Sequence, residues 1–169
     1  MKLLDISSIE NGLSKIQMEP IDFSSLVESI INKTEILFEN YHLETAIKKN
    51  IQVSGNAEYL EQAIKNYISN ALSHTDAGKT ITIRLHSENN DAVFTVCNEG
   101  AHIQNDDLAH IWDSFYRSDK SRTRQEEVHA GLGLYIVKTV IEAHKGTYGA
   151  KNMENSVEFY FKIQIIKHE

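Results

Sequence analysis

The chain has 169 residues, 41% of them hydrophobic and only one a proline, which is enough for a single ordinary core and excludes a disordered composition. Its formal charge of −7 excludes a nucleic-acid partner, since phosphate-backbone binding needs a concentrated basic face, so any phosphate it binds must be held locally. The single cysteine, Cys97, excludes an internal disulfide and suits a reducing cytoplasm; with Val93, Phe94 and Val96 around it, it reads as a buried strand position and not a nucleophile.

No apolar run approaches the ~18–20 residues that cross a bilayer, and the start MKLLDISSIE lacks the apolar centre of a signal peptide, so the chain as given reads as soluble. Leu3, Leu4, Ile6, Ile9, Leu13 and Ile16 recur at helical spacing on a segment with almost no start signal, so it reads as the end of a helix cut from something longer. Met18-Glu19-Pro20 ends it, which places a boundary between 1–18 and a domain over 19–169. Asp22 or Ser24 can cap a second helix, whose apolar positions Leu26, Ile30, Ile31, Ile36 and Leu37 carry it to about residue 40.

Residues 43–53 fit two short strands, with Ser54-Gly55-Asn56 as a turn that also offers an N-cap. Tyr59, Leu60, Ala63, Ile64, Tyr67, Ile68, Ala71 and Leu72 then form the stripe of a helix running to Thr75, stopped by Asp76-Ala77-Gly78. Gln62, Asn66 and Asn70 lie four apart and project from one face. Residues 80–85 and 92–97 make a hairpin with Asn-Asn in its turn, the second strand apolar enough to lie deeper in the sheet.

After Ile103 periodicity is lost for about 27 residues, apart from a helical stretch near 106–112 that Asp106 can cap; a connection of that length is generally functional or mobile. Gly131-Leu132-Gly133-Leu134 follows and opens a helix over Tyr135 to about His144. Glycines at such a junction let backbone N–H groups approach a phosphate, and a helix start adds partial positive charge, although the same pattern can be a tight turn. Strands over 147–151 and 157–166 close the chain, so the expected architecture is an α+β two-layer sandwich with a mainly antiparallel sheet covered by helices on one face.

Leu60 to Thr75 with its two asparagines, then Asn98-Glu99-Gly100, then Phe115-Tyr116-Arg117, then Gly131-Leu132-Gly133-Leu134 resemble, in order and spacing, the N, G1, F and G2 boxes of the catalytic ATP-binding domain of bacterial sensor histidine kinases. The resemblance covers nearly the whole chain, with 1–18 like the end of the second dimerisation helix. It implies a Bergerat-type fold with a mobile ATP lid, ATP and Mg²⁺ as ligands, and phosphoryl transfer to a histidine and then to a response-regulator aspartate. None of the chain's eight histidines sits in a phosphoacceptor context, so the acceptor is expected on a dimerisation domain outside the chain, which alone would be monomeric. The parent is expected in the bacterial plasma membrane, with this domain in the cytoplasm.

Residue by residue, Mg²⁺ prefers oxygen ligands, so Asn70 is the leading metal candidate and Asn66 a second ligand or the holder of a metal-bound water. Without that context both would be polar positions on a solvated helix face. Asn98, where the family usually has Asp, is expected to accept from the exocyclic amine of adenine, a neutral bond about half as strong as a charged one, with its NH₂ able to donate to N1. Gly100 turns the backbone away, Ile103 and His74 flank the base, and Gly131 to Leu134 cradle the phosphates.

Ser73 stands where relatives carry a cation, which shifts phosphate contacts to Arg117 and Lys120. Phe115 and Tyr116 read as the lid hinge, packing its base on the core. His102 and Val128-His129-Ala130 replace usual glycine-rich positions. Competing readings are a gyrase- or chaperone-type ATPase, for which Glu61 lies on a different helix face from the asparagines, a nucleotide-sensing pseudokinase, and an interaction domain without a ligand.

Overall fold

A computed structural model describes residues 16–116 and 131–166. Arg117, Lys120, Val128, His129 and Ala130 lie outside the described residues, as does the expected amino-terminal helix apart from 16–18, which form no regular element.

Strand β1 (Glu19–Asp22) pairs antiparallel with β3 (Gln52–Gly55), a ribbon not anticipated from the sequence; Pro20 is tolerated because an edge strand can spare an N–H. Ser54 and Gly55 therefore belong to a strand and not to the expected turn. Helix α1 (Phe23–Thr34) starts where the Asp22 carboxylate accepts from Ser25 N–H at 3.0 Å, a bond that lowers the Asp22 pKa. It ends earlier than expected. The Thr34 hydroxyl donates back to the Ile30 carbonyl at 2.8 Å and the chain tightens into a 3₁₀ turn (Glu35–Phe38), which leaves Ile36 and Leu37 exposed instead of on the buried stripe.

β2 (His42–Ile47) lies beside β4 (Thr80–Glu88) in parallel, and between them in sequence comes α2 (Ala57–His74), capped by the Asn56 amide oxygen, which accepts from Tyr59 N–H at 3.2 Å. β4 and β5 (Asp91–Glu99) form the expected hairpin, with Asn89 and Asn90 both at positive φ, 48° and 75°, as its tight turn demands. After α3 (Gly133–Ala143), β6 (Thr147–Asn152) and β7 (Ser156–Gln164) complete a sheet of order β2-β4-β5-β7-β6, antiparallel except at β2–β4.

The inner sheet face carries Ile81, Ile83, Leu85, Ala92, Phe94, Val96, Val157, Phe159, Phe161 and Ile163, all buried under the helices. Burial of each such side chain is worth about 1.5–3 kcal/mol, and Tyr67 of α2 joins the layers, its ring 5.7 Å from Phe159 and 5.9 Å from Phe161. Cys97 faces the other side of the sheet and is half-buried, less enclosed than its apolar neighbours suggested. No helix among the described residues is long and apolar enough to cross a membrane.

The stretch expected to be helical near 106–112 is instead a run of turns starting from the Gln104 carbonyl, which accepts from Asp107 and Leu108 N–H. Leu108, Ile111 and Trp112 keep helical spacing, but the backbone bonds Leu108 to Gln104 and Ile111 to Asp107 are separate turns that do not run on as a helix. Ile111 and Trp112 anchor it on the core, the Trp112 ring 4.7 Å from Tyr148 and 6.5 Å from Tyr67.

Candidate functional site

Helices α2 and α3 pack along each other, and their seam assembles the first half of the site. The Asn66 side chain donates from Nδ2 to the Gln62 carbonyl at 2.9 Å, which fixes its rotamer and turns Oδ1 toward the start of α3. A Cβ on Gly133 would stand 3.1 Å from that Oδ1, so any larger residue at the helix start would push the amide back by a few tenths of an ångström. The start of α3 has no side-chain cap among the described residues, the kind of helix start that can take an anion.

Gly131 is required twice over. Its φ is +69°, and a Cβ would lie 2.6 Å from the Tyr116 carbonyl oxygen and 2.9 Å from the Phe115 carbonyl carbon. Phe115 N–H donates to the Gly131 carbonyl at 3.1 Å, so the two flanks of residues 117–130 are held together. Leu132 is buried and Leu134 half-buried against the core. Asn70 follows Asn66 by one turn on the same half-buried face, and His74, exposed, ends the helix. Ser73 turns back on its own helix, its hydroxyl donating to the Ser69 carbonyl at 2.9 Å.

The second half lies at the end of β5. Asn98, held in register between Ile81 and Val157, is 1% exposed, and its Oδ1 has no hydrogen-bond partner among the described residues. Its neighbour Glu99 is spoken for, accepting from Thr80 N–H at 3.0 Å, a bond that lowers its pKa, with Lys79 3.5 Å away. Gly100 adopts φ +83° and donates to the Asn155 carbonyl at 2.9 Å; a Cβ there would touch nothing, so backbone conformation alone selects glycine.

Ile103 is clamped by a residue the sequence reading missed: Asn152, which accepts from Ile103 N–H at 2.9 Å and donates to its carbonyl at 2.7 Å. Its position at the end of β6 reads as a turn residue, and nothing local signals a partner 49 residues away.

The expected hinge is corrected in one respect. Phe115 is 51% exposed with φ +64°, so it does not pack on the core; Trp112 does. The Tyr116 hydroxyl donates to the Asp107 carboxylate, which raises the phenol's pKa, and its ring lies 5.6 Å from His110. No cluster of His, Cys, Asp or Glu fit to hold a metal occurs among the described residues. An enclosed acceptor lacking a donor among the described residues, together with an uncapped helix start, suits a ligand with an amine at one end and negative charge at the other.

Residues 55–165 match the model of the family described as histidine kinase-, DNA gyrase B- and HSP90-like ATPase. The sequence is 33% identical over 146 residues to the sensor histidine kinase CusS of Escherichia coli O6:H1, an alignment spanning 86% of this chain and 30% of CusS. The fold is similar to that of full-length ShkA in complex with AMPPNP, with TM-score 0.78 and 20% identity over 95% of this chain and 34% of ShkA. It is also similar to histidine kinase ThkA in complex with response regulator protein TrrA, with TM-score 0.71 and 19% identity over 96% and 48% of the two chains. The chain spans 18%, 30% and 41% of the length of three curated relatives it matches.

Proposed function

The chain belongs to the histidine kinase-, DNA gyrase B- and HSP90-like ATPase family, and we propose that it is the ATP-binding catalytic domain of a sensor histidine kinase. It delivers the γ-phosphoryl group of ATP to a histidine on the parent's dimerisation domain, from which an aspartate of a response regulator receives it. The parent sits in the plasma membrane with this domain on the cytoplasmic side.

The observation that carries the reading is the Asn66 amide oxygen set against Gly133 at an uncapped helix start. Asn98 offers its unpartnered oxygen to the exocyclic amine, and Ile103, fixed by Asn152, forms a wall of the base site with His74 opposite. Gly131 to Leu134 present backbone N–H groups to the phosphates, and Arg117, Lys120 and Tyr116 complete the set from the 116–130 side. Asn70 and Asn66 hold Mg²⁺ through amide oxygens, and that ion, when bound, supplies neutralisation of phosphate charge. The domain's contribution is position and electrostatics, since phosphoryl transfer asks little covalent chemistry of the protein.

The test is to mix the chain with the parent's dimerisation domain, Mg²⁺ and labelled ATP. Acid-labile, base-stable label should appear on the dimerisation domain and none on this chain alone. ATP binding without any transfer would overturn the kinase assignment.

A further inference from the structure

Two apolar stripes face each other across the core, and both end in a polar atom with no partner among the described residues. On α2 the inward positions Ile64, Ile68 and Ala71 continue at helical spacing to Thr75, which is 7% exposed. On β5 the inward positions Ala92, Phe94 and Val96 continue by twos to Asn98, 1% exposed. Thr75 Oγ1 and Asn98 Oδ1 are both wholly enclosed and lack a partner among the described residues. A third such atom, Thr95 Oγ1, lies on the opposite face of the sheet.

The chain links the end of the first stripe to the end of the second. Thr75 leads through a tight turn, with Lys79 N–H donating to the Asp76 carbonyl at 3.1 Å and Gly78 at φ +81°, into Thr80, whose N–H is bonded to Glu99. The next residue, Ile81, is the register partner of Asn98.

We infer that the Thr75 hydroxyl is a second base-contacting group, donating to adenine N1 beside the exocyclic amine that Asn98 accepts. The inference rests on the nucleotide reading of the site. A buried hydroxyl without a partner lowers stability, and a fold that kept one for packing alone would do better with valine, which has the same shape. Adenine presents a donor and an acceptor side by side on one edge, the amine on C6 and the ring nitrogen N1 bonded to that same carbon. An amide oxygen takes the first, and a hydroxyl, which can donate, takes the second.

The experiment is calorimetric titration of wild type, Thr75→Val and Thr75→Ser with ADP and with 1-deaza-ADP, in which N1 is a C–H, together with the thermal midpoint of each protein without nucleotide. Thr75→Val should bind ADP about tenfold more weakly, the factor set by one hydrogen bond, and Thr75→Ser close to wild type. Wild type should lose about the same factor for 1-deaza-ADP, and Thr75→Val should lose nothing further. The midpoint of unliganded Thr75→Val should stay level or rise.

Equal ADP affinity in wild type and Thr75→Val, additive losses with 1-deaza-ADP, or a midpoint several degrees lower in Thr75→Val would each overturn the assignment and leave ATP binding standing. Wild type giving no heat with ADP would instead overturn the nucleotide reading and this inference with it.

Discussion

The two ends of the α2–α3 seam bury polar groups in opposite ways. At one end His144, 7% exposed, is fully bonded: Nδ1–H donates to the Val140 carbonyl at 2.7 Å and Nε2 accepts from Asn56 N–H at 3.0 Å. Beyond the other, Thr75 after α2 and Asn98 at the end of β5 are as deeply enclosed, and each holds an oxygen with no partner among the described residues. Hydrogen-bonded burial of this kind joins a helix C-terminus to a helix N-cap and serves the fold, whereas unbonded burial gives up stability that a ligand can return.

Breaking the bonded end should have the largest effect. His144→Ala removes two buried hydrogen bonds and leaves a void against Gly55, so urea unfolding should show a loss of about 3 kcal/mol, with ADP affinity of the folded fraction unchanged. A loss under about 1 kcal/mol would make this end no different from the surface. Asn98→Leu sharpens the contrast from the other side. It should cost at least about tenfold in ADP affinity while leaving the unfolding midpoint level or higher. A fall in both would mean that Asn98 is bonded in solution and belongs to the fold.

A third effect is smaller and follows from pH. Burial pushes the His144 pKa below its ordinary value, so the folded protein favours the neutral ring that accepts from Asn56. A depressed folded-state pKa gives stability that is complete above the unfolded value near ~6.5 and is lost as pH falls through the folded value. Urea midpoints should therefore be flat from about pH 8 to 6.5 and decline below, and His144→Ala should flatten the upper part of that decline. Identical profiles for the two proteins would remove His144 as the cause.

Much of this molecule was legible because its signals are local. The ladder Gln62, Asn66, Asn70 follows from helix period alone, and Asn89-Asn90 between two strand patterns can hardly be other than a tight turn. Asn66, Asn98, Gly100, Gly131 and Gly133 were singled out on that basis and by resemblance. What was missed depends on partners far along the chain: Asn152 with Ile103, His144 with Asn56, and β1 with β3. No window of sequence contains both members of such a pair. Ile36 and Leu37 mislead for a different reason: they keep the helical period, but Thr34 bonds back to Ile30, the chain tightens, and both side chains turn outward.

The smallest effect sits where the helix starts, and there the two properties should separate within one residue. Gly133 has no positive φ, so alanine is conformationally allowed, and replacing glycine in a helix removes unfolded-state entropy worth about 0.5–1 kcal/mol. The added Cβ would meet Asn66 Oδ1 at 3.1 Å, close enough that the amide must shift by a few tenths of an ångström. Gly133→Ala should therefore raise the thermal midpoint slightly while lowering Mg²⁺-dependent ADP affinity by about threefold, because Asn66 moves and the N–H groups beneath it are partly covered. If stability and affinity move in the same direction, the close approach of amide and helix start is a packing detail, and the contrast between the two ends of the seam loses its meaning at this point.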